Sequence, residues 1–207
     1  MTSLRLEGVA PKVLQPVDLT LASGELVLLA GPSGSGKSLL LRAIADLDPH
    51  DGEAWLDGTA RSTIPAPHWR RRVGLLPAEA HWWGERVGDH FGDATSELLT
   101  RLGFEPDVLG WSIARLSTGE RQRLALARML AVSPDALLLD EATANLDPSN
   151  RERVEAVVED YRQARTAAVL WVSHDPEQRS RLSRRDKVRR LIIRKGRLEP
   201  EAESTRA

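Results

Sequence analysis

The stretch "ELVLLAGPSGSGKSLLLRAIADL" (25–47) decides the reading of this chain. An apolar run of strand length, "ELVLLA" (25–30), enters the loop "GPSGSGKS" (31–38), and a helical pattern, "GKSLLLRAIADL" (36–47), leaves it. The loop matches G-x-x-x-x-G-K-[ST], which between a strand and a helix is a phosphate cradle. Gly31, Gly34 and Gly36 allow a curl tight enough to aim successive backbone N–H groups inward. The helix beginning near Lys37 adds its positive dipole end. The loop through Pro32, Ser33 and Ser35 to Leu39 is therefore expected to wrap a polyphosphate. Lys37 would reach its β- and γ-phosphates, and the Ser38 hydroxyl would ligate Mg2+.

Working outward, "ALLLDE" (136–141) supplies four apolar residues of a buried strand and then two acids. Ligands of parallel sheets gather at the carboxyl ends of the strands. Asp140 is thus the candidate for the Mg2+ shell, and Glu141 the general base that polarises an attacking water. A third strand, in "AVLWVSHD" (168–175), brings His174 to the same end of the sheet, where a γ-phosphate sensor belongs. In isolation an acid pair is a solvated turn and a lone histidine is structural; beside a phosphate loop, function is the stronger reading. Asp175-Pro176 forms a helix start, with an N-cap and proline at the first helical position. Another helix start is "LSTGE" (116–120), followed by "RQRLALARML". Ser117 and Glu120 fit a capping box. Gly119 does not follow from that box: it burdens the first turn with conformational entropy, which the close approach of a bulky anion would explain.

The rest of the chain completes an α/β pattern. Short β-like pieces at 4–9, 17–22, 25–30 and 53–58 precede "RRVGLLP" (71–77), another strand. After residue 116 the order is helix, strand (136–140), helix (148–165), strand (167–172), short helix, strand (188–193). This predicts a mostly parallel sheet covered on both faces, with an antiparallel β annex from the early strands. Residues 78–115 carry a patchy helical rhythm, and the last nine, "EPEAESTRA", read as frayed. The arginine-rich "RSRLSRRDKVRR" (179–190) reads as a solvated helix face and strand edge, with contact to anionic lipid headgroups as the alternative.

Composition narrows the function. The 207 residues suit one packed domain. A formal net charge of −1 offers no global electrostatic case for nucleic-acid binding. The absence of cysteine excludes disulfides, thiolate metal sites and cysteine nucleophiles. The N-terminus lacks the basic segment and long apolar core of a secretory signal. No run reaches the roughly 18 apolar residues of a membrane-spanning helix, so another polypeptide is expected to supply any span.

Together these motifs resemble the ATP-binding cassette (ABC) ATPases, a P-loop NTPase family. "GPSGSGKS" resembles the Walker A loop, "LSTGE" the signature, "LLLDE" Walker B, "ANLD" (144–147) the D-loop and His174 the switch histidine. The resemblance implies one ABC ATPase domain over 1–199, with a helical subdomain inserted at about 80–118 and a disordered tail at 200–207. It implies ATP and Mg2+ as ligands. It also implies head-to-tail association of two cassettes, as a homodimer or a paired cassette, each ATP lying between one subunit's Walker A loop and the other's signature. Ser117, the amide of Gly119 and Glu120 would then serve the partner's nucleotide, and Asp147 would cross the interface to couple the two sites. The further partner would be a transmembrane permease, with this chain peripheral on the cytoplasmic face of the cell membrane and no nucleic acid involved. The subgroup it most resembles is a small bacterial set of iron-export ATPases.

Three positions depart from the family pattern. Ala78, in "LLPAEA", stands where a glutamine should touch metal, water and transport partner. The shell is then completed by Glu79, or by Ser38, Asp140 and water. The adenine-stacking aromatic expected near "GVAPKVL" (8–14) is missing, and Thr118 replaces a signature glycine. Trp82, Trp83, Trp111, Phe91 and Phe104 read either as subdomain core or as a patch for a coupling helix. A soluble ABC ATPase acting on DNA or ribosomes is a rival, though no coiled-coil insertion or second cassette is present. A regulatory module with impaired turnover is motivated by Ala78 and opposed by Glu141. A small-molecule kinase fits the cradle but leaves "LSTGE" and His174 unexplained.

Overall fold

Five consecutive buried residues, Leu26 to Ala30, form the strand that enters the phosphate loop. Such a run, with no polar alternation, needs a sheet covered on both faces. The computed structural model, which describes residues 3–92 and 96–201, has that arrangement. In chain order the strands are β1 (Leu4–Ala10), β2 (Val17–Leu21), β3 (Leu26–Ala30), β4 (Asp51–Leu56), β5 (Thr59–Ala60), β6 (Val73–Leu76), β7 (Ala136–Asp140), β8 (Ala168–Val172), β9 (Val188–Arg194) and β10 (Arg197–Pro200). The α-helices are α1 (Lys37–Ile44), α2 (Ala66–Arg72), α3 (Ser96–Arg101), α4 (Thr118–Ala131), α5 (Pro148–Arg165) and α6 (Pro176–Leu182).

Six strands form one sheet in the order β10-β9-β3-β8-β7-β6, parallel except for β10 at the edge. The antiparallel annex is a separate sheet, β2-β1-β4-β5. The strand alternation divides the apolar side chains between two cores. Leu26 and Leu28 of β3, Leu137 and Leu139 of β7 and Trp171 of β8 join α4 and α5. Val27, Leu29, Leu138 and Leu170 point the other way, against α1 and the annex. In register, Leu29 of β3 and Asp140 of β7 both pair with Val172 of β8, so three strands end side by side. Everything that follows them in sequence is delivered to one edge.

Some expectations need correction. Residues 199–201 are not frayed. Glu199 and Pro200 pair with Ile192 and Leu191, and the Glu201 carboxylate binds Arg179 and Arg190 at 2.7 and 2.8 Å. The turn carries Lys195 and Gly196 at φ 49° and 76°, a hairpin geometry the apolar pattern does not reveal. Residues 202–207 lie outside the described residues. Between 80 and 118 the described helix is mainly one short α-helix, α3, and 3₁₀ turns at Val87–His90, Pro106–Gly110 and Ile113–Arg115. Helix α2 leaves no apolar period in the sequence because it buries only Trp69, whose indole N–H donates to the Ile44 carbonyl at 2.8 Å. The aromatics of 81–115 divide: Phe104 is core, whereas Trp83 is 76% exposed. The arginines of 179–190 are largely neutralised within the fold. Arg181 and Arg185 hold Glu155, Arg189 holds Glu25, and Arg179 and Arg190 hold Glu201. That pairing favours the reading without lipid.

Candidate active site

Gly36 is the N-cap of α1 at φ 98°, a left-handed conformation open to glycine, and no side chain caps the helix. The first-turn N–H groups of α1 are therefore left to a ligand. A Cβ on Gly36 would come within 2.9 Å of Val13 and Leu14, so the loop also needs glycine for space. Lys37, 5% exposed, folds back over the loop and donates from Nζ to the carbonyls of Gly31 at 2.9 Å and Pro32 at 2.8 Å. Burial lowers its pKa, against the opposing pull of Glu141 and Asp140. The Ser35 hydroxyl is buried without a partner.

Asp140 is 6% exposed at the end of β7. Burial raises its pKa; the hydrogen bond from Ser38 opposes the rise and the neighbouring Glu141 adds to it. Its Oδ1 is buried and unpartnered. A buried carboxylate oxygen with no donor, next to a serine hydroxyl, fits one side of a Mg2+ shell. Mg2+ keeps several waters and substrate oxygens rather than a full protein cage. Among the described residues no cluster of three acids or histidines offers such a cage. Glu79 lines the cleft of Ser117, not the one containing Ser38, which favours completion of the shell by Ser38, Asp140 and water.

Glu141 and His174 meet at the same edge, with His174 Nε2 3.0 Å from Glu141 Oε1. Glu141 has φ 50°, sparsely populated for a residue with a side chain, and its N–H donates to the Val172 carbonyl at 3.1 Å. One open cleft of about 190 Å³ brings Ser33, Lys37, Ser38 and Leu39 together with Glu141 and His174. Asp175 caps α6 as expected, accepting from the N–H groups of Glu177 and Gln178, and also binds Arg151 at 2.7 Å.

The signature residues lie elsewhere in the chain's surface. Ser117 and Thr118 share a different cleft, about 560 Å³, with Ala78, Glu79, Gln122 and Asn145. The capping box is complete. The Ser117 N–H and hydroxyl both donate to Glu120 Oε2 at 2.8 Å, and Ser117 Oγ accepts from the Glu120 N–H at 3.3 Å. The bond from the Ser117 backbone is the main cause of the lowered Glu120 pKa. Gly119 has a reason within the chain: a Cβ there would meet Leu146 Cδ2 at 3.1 Å and the Asn145 carbonyl at 3.2 Å. The close approach inferred at Gly119 is thus made by the chain's own segment 145–146. Asp147 is the N-cap of α5, accepting from the Asn150 N–H at 3.0 Å.

Near Gly36, Val13 is 53% exposed and aliphatic, so the expected aromatic is absent from this edge as from the sequence. Gln122 of α4 donates to the Pro77 carbonyl at 3.0 Å, tying the segment before Ala78 to the signature helix. Gln178, Thr143 and Ser173, which form a buried cluster behind Glu141 and His174, were not singled out by sequence. Their only local signal is that Gln178 lies one helical turn past the cap Asp175.

A phosphate loop after β3, a buried acid closing β7 and an acid–histidine pair just past the ends of β7 and β8 define a P-loop nucleotide hydrolase of α/β type. A family model described as "ABC transporter" matches residues 14–144. The chain is 34% identical over 190 residues to "Probable iron export ATP-binding protein FetA" of Escherichia coli K12, covering 86% of this chain and 83% of that protein. It is 40% identical over 202 residues to "Fe(3+) ions import ATP-binding protein FbpC" of Streptomyces avermitilis, covering 90% of this chain but 56% of that protein. The chain therefore belongs to the ABC transporter family, as its ATP-binding ATPase subunit. Its fold is also that of a chain in "Structure of a bacterial Atm1-family ABC exporter with ATP bound", with TM-score 0.78 at 23% identity over 95% of this chain and 37% of that one. Among the described residues no helix is long and apolar enough to cross a membrane.

Proposed function

We propose that this subunit hydrolyses ATP between two copies associated head to tail and so drives a separate transmembrane permease. The observation that carries the reading is the division of the motifs into two clefts. Lys37, Ser38, Glu141 and His174 share one, while Ser117 lines another that has no residue in common with it. A second copy would supply the missing half. In the cleft, Lys37 would exchange the Gly31 and Pro32 carbonyls for the β- and γ-phosphates. Glu141 would take the proton of the attacking water, and His174, whose Nε2 lies 3.0 Å from Glu141 Oε1, would redirect that N–H to the γ-phosphate once the nucleotide is bound. Ser38 and Asp140 would hold Mg2+, which would supply positive charge to the phosphates. Ser117, the Gly119 amide and Glu120 of one copy would face the other copy's γ-phosphate, with Asp147 at the joint.

No residue of either cleft reads a cargo, which falls to the permease. Iron export is the cargo we carry forward, supported by the resemblance to FetA over more than four fifths of both chains. The test of the ATP clamp is Glu141→Gln, which should bind ATP without turnover. Its mass in solution should change from monomer to dimer on adding Mg-ATP, and Ser117→Arg should abolish the change. A monomer at millimolar Mg-ATP would overturn the homodimeric clamp.

A further inference from the structure

Glu141 and His174 are both partly exposed, and a cleft of about 230 Å³ lies beside them, lined also by Thr143, Ser173 and Gln178. Packing from that side does not fix their 3.0 Å contact. Their separation therefore depends on the two loops that carry them. One side chain joins those loops. Gln178 is 1% exposed, and its amide accepts from Ser173 Oγ at 2.6 Å through Oε1. Its Nε2 donates to Thr143 Oγ1 at 2.7 Å and to Glu155 Oε1 at 2.9 Å. Ser173 immediately precedes His174, and Thr143 lies two residues past Glu141. Glu155, buried on α5, is itself anchored by Arg181 at 2.7 Å. The amide is thus hung on a fixed carboxylate and reaches to both loops.

We propose that Gln178 is a positioning residue for ATP hydrolysis, holding the Glu141 and His174 loops in the register that lets the pair act on one water. The proposal rests on the reading of Glu141 and His174 as the hydrolytic pair. A buried amide satisfied on every side could also serve the fold alone, so the test must separate turnover from stability. Gln178→Met keeps the volume but removes all three bonds. Gln178→Glu sets a carboxylate against Glu155. Combining Gln178→Glu with Glu155→Gln exchanges donor and acceptor between the two positions: the new carboxylate accepts from the Ser173 and Thr143 hydroxyls and from the new amide at 155. The oxygen of that amide still accepts from Arg181 Nε, while the Arg181 bond to Oε1 is given up.

The full chain is assayed for kcat, KM for ATP and melting temperature. Gln178→Met and Gln178→Glu should each lower kcat about tenfold or more, as small misplacements of reacting groups do, with KM within about twofold of native. The exchanged pair should return kcat to within about threefold of native, because the three contacts re-form, the Ser173 bond with its direction kept and the bonds to Thr143 and position 155 reversed. Native kcat in Gln178→Met overturns the proposal. So does an exchanged pair that regains melting temperature but not kcat, and so does a failure of the pair to improve on Gln178→Glu. Glu141→Gln runs alongside: if it retains turnover, the hydrolytic pair itself is misread, whatever Gln178 does.

Discussion

The phosphate edge and the signature face are both built on helix N-termini, yet they handle polar groups in opposite ways. At the phosphate edge α1 has no side-chain cap, Asp140 Oδ1 and Ser35 Oγ are buried without partners, and Asp140 and Lys37 are held against their ordinary pKa values by burial. Buried polar groups left unpaired are expensive, and a ligand that pairs them recovers that expense as affinity. At the signature face α4 carries a complete capping box: Ser117 and Glu120 satisfy one another. To hold a phosphate, Ser117 must turn its hydroxyl proton away from Glu120. The first region is preorganised for a ligand by its own chain. The second has its serine and glutamate paired without one, as the proposed head-to-tail pairing of two copies requires.

Asp140→Asn gives the largest expected break in this contrast. Turnover should fall at least about a hundredfold, the scale of losing one electrostatic contact to a transferring phosphoryl group. The unliganded protein should nonetheless melt at a higher temperature, because a costly buried charge is gone. The sign follows from the raised pKa. The native protein carries the ionised form at a disadvantage only as pH rises above the ordinary aspartate value of 3.8 and through the native pKa. The melting-temperature gap should therefore widen toward neutral pH and close in acid. A variant less stable than native at neutral pH would show that the edge is not under electrostatic strain.

Gly119→Ala tests the other region. In an exposed first turn the change should stabilise the helix by up to about 1 kcal/mol. Here the added Cβ crowds Leu146 and the Asn145 carbonyl, so segment 145–147 must shift. ATP binding to the chain's own loop should stay within about twofold, while the dimer of the Glu141→Gln background weakens about tenfold, or 1.4 kcal/mol. A gain in stability with an unaltered dimer would mean that the packing of 145–146 on α4 does not transmit to the interface.

The same contrast explains what could be read from sequence. The phosphate loop, the acids after β7 and His174 after β8 are legible because each is a short run whose chemistry depends on its immediate neighbours. The two-faced sheet is legible because β3, β7 and β8 are continuously apolar. Long-range partners leave no such trace. Gly119 is explained by Leu146, Gln178 by Thr143 and Glu155, and Glu201 by Arg179 and Arg190, none of them neighbours in the chain. Helix α2 and strand β10 bury too few side chains to impose a period. The described residues of 80–118 alternate 3₁₀ turns with one short α-helix, and neither produces the 3.6-residue rhythm of a longer element.

The smallest expected effect concerns where the phosphate edge stops being selective. On the proposed reading its preorganised groups address phosphate and metal, and these are common to every nucleoside triphosphate. Base selection needs a separate contact, and the side chains beside Gly36 are Val13, exposed, and Leu14, buried, both aliphatic. Stacking on an aromatic side chain is worth about 1–3 kcal/mol per base, so its absence removes roughly one to two orders of magnitude of possible discrimination. GTP should therefore bind within about a hundredfold of ATP in side-by-side titrations of Glu141→Gln, with Val13→Tyr tightening ATP by about tenfold. A native preference for ATP above about a hundredfold would place a base-reading contact outside this edge. The boundary between generic phosphate capture and base recognition would then have to be redrawn around residues that Val13 does not touch.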